Sequence, residues 1–277
     1  MRQQTEKPIC SMALLGSDMS DAIRRRLRGS LEEASTSQRV GFQYSSSPLS
    51  LKMVMLKPAD YRSLQIPRVV DETMPQVVVL AGGLGTRLGS LSERVPKSLI
   101  EVAGQPILSH ILDWVAVQGC TRALVLIGHL GERFEDFDHE GVDIVFHKEK
   151  SPLGTGGALW GARDLIEDRF VLLWGDDLHM IDYSSLLQTH NSSGCALTMT
   201  VTTGHSSFNL EHMGGRVIRY DKRLDNPEGL NGYEAGTSIV EKSVLDSLGR
   251  GGAWSWEEEV YPAMSGLIAA HLDETQF

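Results

Sequence analysis

The most regular part of the chain is a series of short apolar runs that begins at residue 76 and alternates with amphipathic segments. Four of these runs are predicted strands, and their mainly apolar character is typical of strands that are buried on both faces. They read QVVVLAG (76–82), RALVLIG (122–128), VDIVFHKE (142–149) and RFVLLWGDD (169–177). Such strands, separated by helices, predict a doubly wound α/β fold with a mainly parallel, Rossmann-like sheet and helices on both faces.

Helical periodicity is clearest in PILSHILDWVAVQG (106–119). A proline at its start and Gly119 at its end are typical helix boundaries. The apolar face of this helix comprises Ile107, Leu108, Ile111, Leu112 and Val115. Shorter helices are predicted in GERFEDFDH (131–139), TGGALWGARDLI (155–166) and around SSLLQTHN (184–191).

The pattern becomes mixed after residue 183. Strands are predicted in ALTMTVTT (196–203), in GRVIRYD (215–221) and near GTSIVE (236–241). The C-terminal segment SWEEEVYPAMSGLIAAHL (255–272) favours no single element along its whole length. We therefore expect a parallel half followed by a mixed half.

Residues 1–73 differ in character from the rest of the chain. They carry 11 Lys and Arg against 8 Asp and Glu, whereas residues 74–277 carry 15 against 28. SDAIRRRLRGSLEEA (20–34) predicts one helix, and the serine-rich stretch after it is typical of a linker. We interpret residues 1–73 as an N-terminal extension of unknown role, poorly ordered or packed as an arm, with a partner-binding module as the alternative. Residues 74–277 would form one globular domain.

Composition narrows the class of protein. No run approaches the roughly 20 apolar residues that a membrane span needs, and the N-terminus lacks the apolar core of a secretory signal, so we expect a cytoplasmic protein. The net charge of −10, concentrated after residue 73, argues against nucleic-acid binding. The three cysteines are far apart, and the histidines have no zinc-ligand spacing.

A glycine-rich stretch, LAGGLGTRLGSLSERVPK (80–97), follows the first strand. Ligands of open parallel sheets bind beyond the carboxyl ends of the strands, so the position favours a binding site. Gly82, Gly83 and Gly85 would let backbone N–H groups approach an anion, and Thr86 adds a hydroxyl donor. Arg87 and Lys97 would add positive charge. The Walker and dinucleotide-binding patterns do not fit, and the glycines alone would suit a structural turn equally well.

LAGGLGTRL followed by PKSLIEVAGQPIL resembles the signature of the sugar-1-phosphate nucleotidyltransferases. The similarity continues through EKSPLGTGGAL (149–159) and VLLWGDD (171–177) and covers about residues 75–240. Within the family, the chain looks most like the guanylyltransferases that act on mannose 1-phosphate and D-glycero-D-manno-heptose 1-phosphate.

The resemblance implies that a sugar-1-phosphate oxygen attacks the α-phosphorus of a nucleoside triphosphate and releases pyrophosphate. Arg87 would then hold the leaving pyrophosphate, and Lys97 would lie between the α-phosphate and the sugar phosphate. Residues 80–83 (Leu80, Ala81, Gly82 and Gly83), with Gly85 and Thr86, would contact the nucleotide. Asp176, at the end of an apolar strand, would be a catalytic ligand of Mg²⁺, with Asp177 as a weaker candidate.

The same resemblance places Gly154 and Thr155 against the nucleotide and Glu149 at the edge of the base. A carboxylate can accept from both N1–H and N2–H₂ of guanine, so GTP is the expected nucleotide. Uridylyl, thymidylyl or cytidylyl transfer remains the alternative, as does a solvated, non-functional Glu149.

On the sugar side, YEAGTSIV (233–240) resembles a segment with which relatives contact the sugar, although Glu234 stands where asparagine is usual. Gly236, Glu257 and Glu258 are further candidates, the two glutamates being equally typical of a helix start. Relatives continue past a final Phe with a second metal-binding aspartate, so we expect a domain without that tail. This expectation leaves open a non-catalytic, nucleotide-sugar-binding regulatory subunit, and the sequence also leaves homo-oligomerisation open.

Overall fold

The computed structural model describes residues 74–83, 94–248 and 251–274 of the chain. The strands in these ranges are β1 (Gln76–Leu80), β2 (Glu101–Val102), β3 (Gln105–Pro106), β4 (Arg122–Ile127), β5 (Asp143–Lys148), β6 (Arg169–Trp174), β7 (Leu197–Thr202), β8 (Leu210–Met213), β9 (Arg216–Tyr220), β10 (Tyr233–Glu241) and β11 (Ile268–Leu272). The α-helices are α1 (Ile107–Val117), α2 (Gly154–Gly161), α3 (Tyr183–Ser193), α4 (Lys242–Leu248) and α5 (Trp256–Ala263). Short 3-10 helices cover Lys97–Leu99, Gly131–Phe134 and Arg163–Leu165.

Nine of these strands form one sheet in the order β5-β4-β1-β6-β10-β7-β11-β9-β8. The first four are parallel to one another, as the continuous apolar runs predict. Strand β10 is antiparallel to both β6 and β7, so the sheet becomes mixed where the sequence pattern does. The predicted fold class is confirmed.

The helices cover both faces of the sheet. Val77 and Val79 of β1 pack in one buried cluster with residues of α1 and α3. Val78 and Leu80 point to the opposite face and pack in a second cluster with residues of α2, α4 and α5. Because successive side chains of a strand point to opposite faces, one continuously apolar strand can contribute to both cores.

Helix α1 begins and ends as predicted, because Pro106 precedes its first residue and Gly119 adopts a φ of +86° just beyond it. Two other helix predictions were too long. GERFEDFDH forms only the 3-10 helix Gly131–Phe134, and TGGALWGARDLI is split at Ala162 into α2 and a 3-10 turn. Residues 135–139 are exposed or only half-buried, so little packing stabilises a longer helix there, and propensity alone was insufficient.

The sequence analysis did not identify strands β8 and β11, helix α4 or the small β2–β3 hairpin. Strand β11 is parallel to β7 and antiparallel to β9, both of which are distant in sequence. A short apolar run of this kind is ambiguous until its pairing partners are known. In the part of the chain that the structure describes, no helix is both long enough and apolar enough to cross a membrane.

Candidate active site

The candidate site lies at the carboxyl edge of the parallel strands. Backbone hydrogen bonds extend the ladder beyond the strands: Ala81 N–H donates to Leu126 O at 2.8 Å, and Gly175 N–H donates to Leu80 O at 2.9 Å. Glu149 N–H likewise donates to Ile127 O at 2.9 Å. The segments that follow β1, β5 and β6 therefore leave the sheet side by side.

The start of the glycine-rich segment contributes backbone rather than side chains. The side chains of Leu80 and Ala81 are buried in the two opposite cores, so only their main chain could face a ligand. Gly82 is half-buried and Gly83 is exposed. Gly85, Thr86 and Arg87 lie outside the described residues, and their assignment to phosphates stays a prediction.

Two facing glycines make room for the carboxylate of Glu149. A Cβ on Gly128, which follows β4, would collide with Glu149 Oε1 and lie 3.0 Å from Gly82 O. A Cβ on Gly82 would lie 3.3 Å from the same Oε1. Gly128 was not among the predicted site residues, because its importance depends on which strands are neighbours.

Glu149 is held from the other side by the loop that follows it. Leu153 N–H donates to Glu149 Oε2 at 3.1 Å. Burial raises the pKa of Glu149, and the hydrogen bond from Leu153 and the nearby His147 only partly oppose this effect. The carboxylate is therefore oriented at the strand edge by backbone on two sides.

Lys97 and Asp176 form an ion pair between Nζ and Oδ2, although they are 79 residues apart. Lys97 opens the 3-10 helix after Pro96, and Asp176 follows β6. Their side chains are 33% and 34% exposed, so both remain accessible to a ligand. The structure thus brings together the two described residues that the sequence analysis named as catalytic.

Asp177 is also at this edge and contacts a buried histidine. His179 Nε2 lies 3.1 Å from Asp177 Oδ2, and His179 Nδ1 lies 3.3 Å from Thr237 Oγ1. Burial alone would raise the pKa of Asp177, but His179 and, more weakly, Lys97 lower it overall. The ring of His179 fits because Gly236, at φ +81°, has no Cβ to collide with it.

The carboxylates at this edge suit a cation such as Mg²⁺ that is bound partly by the protein and partly by the substrate. Within the described ranges, no group of three or more His, Cys, Asp or Glu side chains could bind a metal by itself. Mg²⁺ commonly takes one or two protein carboxylates and completes its shell with substrate phosphates and water. Asp176, with Asp177 beside it, fits that requirement.

The L-G-T-G-G segment (residues 153–157) packs against the residues around the start of α5. Trp254 N–H donates to Leu153 O at 2.9 Å, and Trp254 O accepts from Gly156 N–H at 3.0 Å. Thr155 Oγ1 accepts from Trp256 N–H at 2.8 Å. Gly154 has a φ of +68°, and a Cβ there would approach the Trp254 carbonyl at 2.5 Å. The contact of Gly154 and Thr155 with a nucleotide stays a prediction.

The candidate sugar side is acidic and partly buried. Glu234 is 8% exposed, and its Oε1 accepts from Gly236 N–H at 2.9 Å. Burial and the negative charge of Glu257 raise the pKa of Glu234 to about 7. Glu257 lies 2.6 Å from Lys222 Nζ, a cation that the sequence analysis did not single out.

Glu258 differs from Glu257, because it is more exposed and pairs with Arg223 at 2.8 Å. Its pKa is lowered, chiefly by the hydrogen bond from Arg223. Ser255 caps α5 by accepting from Glu258 N–H at 3.3 Å, so the helix-start interpretation of this segment is confirmed. Contact of either glutamate with a sugar stays a prediction.

Comparison with known proteins agrees with this geometry. The family model described as nucleotidyl transferase matches residues 76–221, which include β1, Lys97, Glu149 and Asp176. The chain belongs to the nucleotidyl transferase family.

Members of this family with curated names are 27% to 32% identical to the chain over the residues that match. A mannose-1-phosphate guanylyltransferase catalytic subunit beta from Drosophila pseudoobscura pseudoobscura is 31% identical over 206 residues, which is 69% of this chain and 54% of that relative. A D-glycero-alpha-D-manno-heptose 1-phosphate guanylyltransferase from Aneurinibacillus thermoaerophilus is 28% identical over 195 residues, 66% of this chain and 82% of that relative. The chain spans about half the length of the mannose-1-phosphate enzymes that it matches.

Among solved structures of nucleotidyl transferases, HddC from Yersinia pseudotuberculosis in complex with GMP-PN superimposes with a TM-score of 0.61. The two sequences are 26% identical, and the match covers 73% of this chain and 91% of the other. The similarity extends over the parallel half and the mixed half of the fold.

Proposed function

We propose that this nucleotidyl transferase joins GTP and a sugar 1-phosphate to form a GDP-sugar and pyrophosphate. A sugar-1-phosphate oxygen forms a bond to the α-phosphorus of GTP, and the bond from that phosphorus to the β-phosphate oxygen breaks. Mannose 1-phosphate and heptose 1-phosphate are the leading substrates, because the curated relatives are named for them.

The observation that carries the proposal is the Lys97–Asp176 pair at the carboxyl edge of the sheet. Transfer of a nucleotidyl group brings two phosphates of like charge together, so catalysis depends on alignment and compensating charge rather than on a protein nucleophile. Lys97 supplies positive charge between the two phosphates, and Asp176 holds its ammonium group in place before they arrive. Arg87 would take the pyrophosphate.

Asp176 would hold Mg²⁺, with Asp177 as a second candidate ligand. When bound, the cation would offset the negative charge of the phosphates. His179 lies beside this site, and its hydrogen bond to Asp177 lowers the pKa of that carboxyl.

Glu149 is the proposed reader of the base. Its carboxylate is fixed by Leu153 N–H on one side and by the Gly82–Gly128 pair on the other. Guanine presents N1–H and N2–H₂ as adjacent donors, which a carboxylate can accept together, whereas uracil and thymine would suit an amide better.

Glu234, Gly236 and Glu257 form the proposed sugar side, with Glu258 at its exposed margin. We further propose that residues 74–277 form the transferase domain, that residues 1–73 are an appended segment, and that the protein works in the cytoplasm. Homo-oligomerisation is compatible with this assignment.

The test is a panel in which pyrophosphate release is followed with Mg²⁺, each of GTP, UTP, dTTP and CTP, and a series of sugar 1-phosphates. We expect release with GTP and mannose 1-phosphate or heptose 1-phosphate. Preference for UTP or dTTP would refute the assignment of Glu149. GTP binding without release from any pair would instead indicate a non-catalytic subunit.

Lys97→Ala and Asp176→Ala should each lower kcat at least about a hundredfold, since each removes a charge that acts on the reacting phosphates. Matched controls lie at the opposite edge of the sheet. Lys242 follows β10 and its N–H donates to Asp168 O, which directly precedes β6. Lys242→Ala and Asp168→Ala should leave kcat within about twofold, because neither site faces the strand ends that hold the substrates.

A further inference from the structure

The L-G-T-G-G segment connects the two proposed substrate sides. Its nucleotide-facing end is Leu153, whose N–H holds Glu149 Oε2 at 3.1 Å. Its other contacts go to the segment before α5, and the first turn of α5 carries Glu257. A chain of direct contacts therefore runs from the base-reading carboxylate to the acidic residues of the sugar side.

Close packing makes this connection tight. A Cβ on Gly156 would overlap the indole ring of Trp254, and a Cβ on Gly157 would overlap Gly252 O. Both tryptophans of the segment are buried, Trp254 at 6% and Trp256 at 0% exposure. Because packed interiors leave little space to absorb a displacement, movement on one side of this contact is transmitted to the other.

Thr155 makes a side-chain hydrogen bond between the two segments. Its Oγ1 accepts from Trp256 N–H, which belongs to the first residue of α5. The first N–H groups of a helix have no partner within the helix, so they depend on outside acceptors. Ser255 supplies the acceptor for Glu258 N–H, and Thr155 supplies the acceptor for Trp256 N–H.

The helix start held in this way sets the place of Glu257. That side chain is 15% exposed and lies 2.6 Å from Lys222 Nζ, and its negative charge acts on the buried carboxyl of Glu234, whose pKa it raises. A small shift of the first turn would therefore change both the ion pair of Glu257 with Lys222 and its electrostatic effect on Glu234.

We propose that Thr155 is a positioning residue for the sugar 1-phosphate, which it affects through Trp256 and Glu257 rather than by touching the nucleotide. The inference rests on the proposed function, and it reassigns Thr155 from nucleotide contact to coupling between the two substrate sides. The coupling is then reciprocal. A nucleotide that orders residues 149–155 favours binding of the sugar 1-phosphate, and the sugar 1-phosphate favours binding of the nucleotide by the same free energy.

The test compares Thr155→Val, which keeps the shape of the side chain and removes the acceptor, with Thr155→Ser, which keeps the acceptor. Leaving Trp256 N–H buried without a partner should raise KM for mannose 1-phosphate about tenfold in the valine variant. KM for GTP should stay within about twofold of wild type, and the serine variant should behave like wild type in both respects.

A larger rise in KM for GTP than for mannose 1-phosphate would show that Thr155 contacts the nucleotide, and the proposal would be wrong. Unchanged KM values for both substrates would also overturn it, as would a serine variant as impaired as the valine variant. Thr155→Ala replaces the valine variant if the latter does not fold, with the same expected values.

A second measurement on the wild-type chain needs neither turnover nor a variant. We expect GTP to slow amide hydrogen exchange in residues 149–155 and also in residues 254–258. Slowing confined to residues 149–155 would overturn the coupling. If the wild type binds GTP but releases no pyrophosphate with any sugar 1-phosphate, the proposed function fails, whereas the exchange result still decides the role of Thr155.

Discussion

The raised pKa of Glu234 predicts how the free energy of unfolding depends on pH. Glu234 is 8% exposed, and burial together with the charge of Glu257 raises its pKa to about 7 from the ordinary value of 4.5. Between those two values the folded state keeps a proton on Glu234 that the unfolded state has lost. Stability contributed at this position is therefore present below about pH 4.5 and is lost as the pH rises towards 7.

The size of the effect follows from the shift. A difference of about 2.5 pKa units corresponds to about 3 kcal/mol of unfolding free energy, at 1.36 kcal/mol per unit. Glu234→Gln removes the titration and retains an oxygen that can accept from Gly236 N–H. We expect the variant to resemble wild type near pH 4.5 and to be more stable by about 3 kcal/mol above pH 7, with most of the difference developing in between.

The assay is urea unfolding, followed by circular dichroism, of wild type and Glu234→Gln at half-unit steps from about pH 4.5 to about pH 8. Glu228→Gln is the matched control, since Glu228 is exposed and the same substitution there should leave the pH profile of wild type unchanged. A stability difference between wild type and Glu234→Gln that does not grow as the pH rises would refute the reasoning, as would one that grows in the opposite direction.

Three other predictions concern single contacts of the site. Gly156→Ala should destabilise the fold by about 1–3 kcal/mol in thermal melts, because its Cβ would overlap Trp254. Gly161→Ala is the control: the nearest atom to its Cβ would be 3.7 Å away, so it should be neutral or slightly stabilising. Equal effects of the two substitutions would contradict the packing argument. Gly128→Ala should raise KM for GTP about tenfold by displacing the Glu149 carboxylate, and an unchanged KM would separate that carboxylate from base recognition. Glu149→Gln should lower kcat/KM for GTP about ten- to a hundredfold while lowering that for UTP less, so a uniform loss with all nucleotides would count against base reading.

Much of the parallel half could be predicted because its signals are local. The continuously apolar strands β1, β4 and β6 and the boundaries of α1 depend on residues within a few positions of one another. The positions of Lys97 and Asp176 near the strand ends also followed, since parallel strands share one carboxyl edge. What could not be predicted at this edge was the space for Glu149, which depends on Gly128 and on the order of the strands.

The mixed half was harder to predict, because its signals are not local. Strand β11 and helix α4 are short, and their apolar positions acquire meaning only from neighbours distant in sequence. His179 lies in the loop after β6, yet it is buried because Gly236 lacks a side chain that would exclude it. Lys222 was not predicted as a site residue, because only the position of α5 places Glu257 beside it.

The sequence by itself determined the fold class, through apolar periodicity, and indicated the family and the edge of the sheet that carries the candidate site, through the resemblance of its motifs. Both signals depend on residues that are close together along the chain. The tertiary structure decided which charges meet there. It paired Lys97 with Asp176, buried Glu234 within the electrostatic influence of Glu257, and turned the Thr155 hydroxyl towards Trp256. These approaches join residues separated by 23 to 101 positions, and only the strand order and the packing of helices across the sheet bring such positions within contact distance.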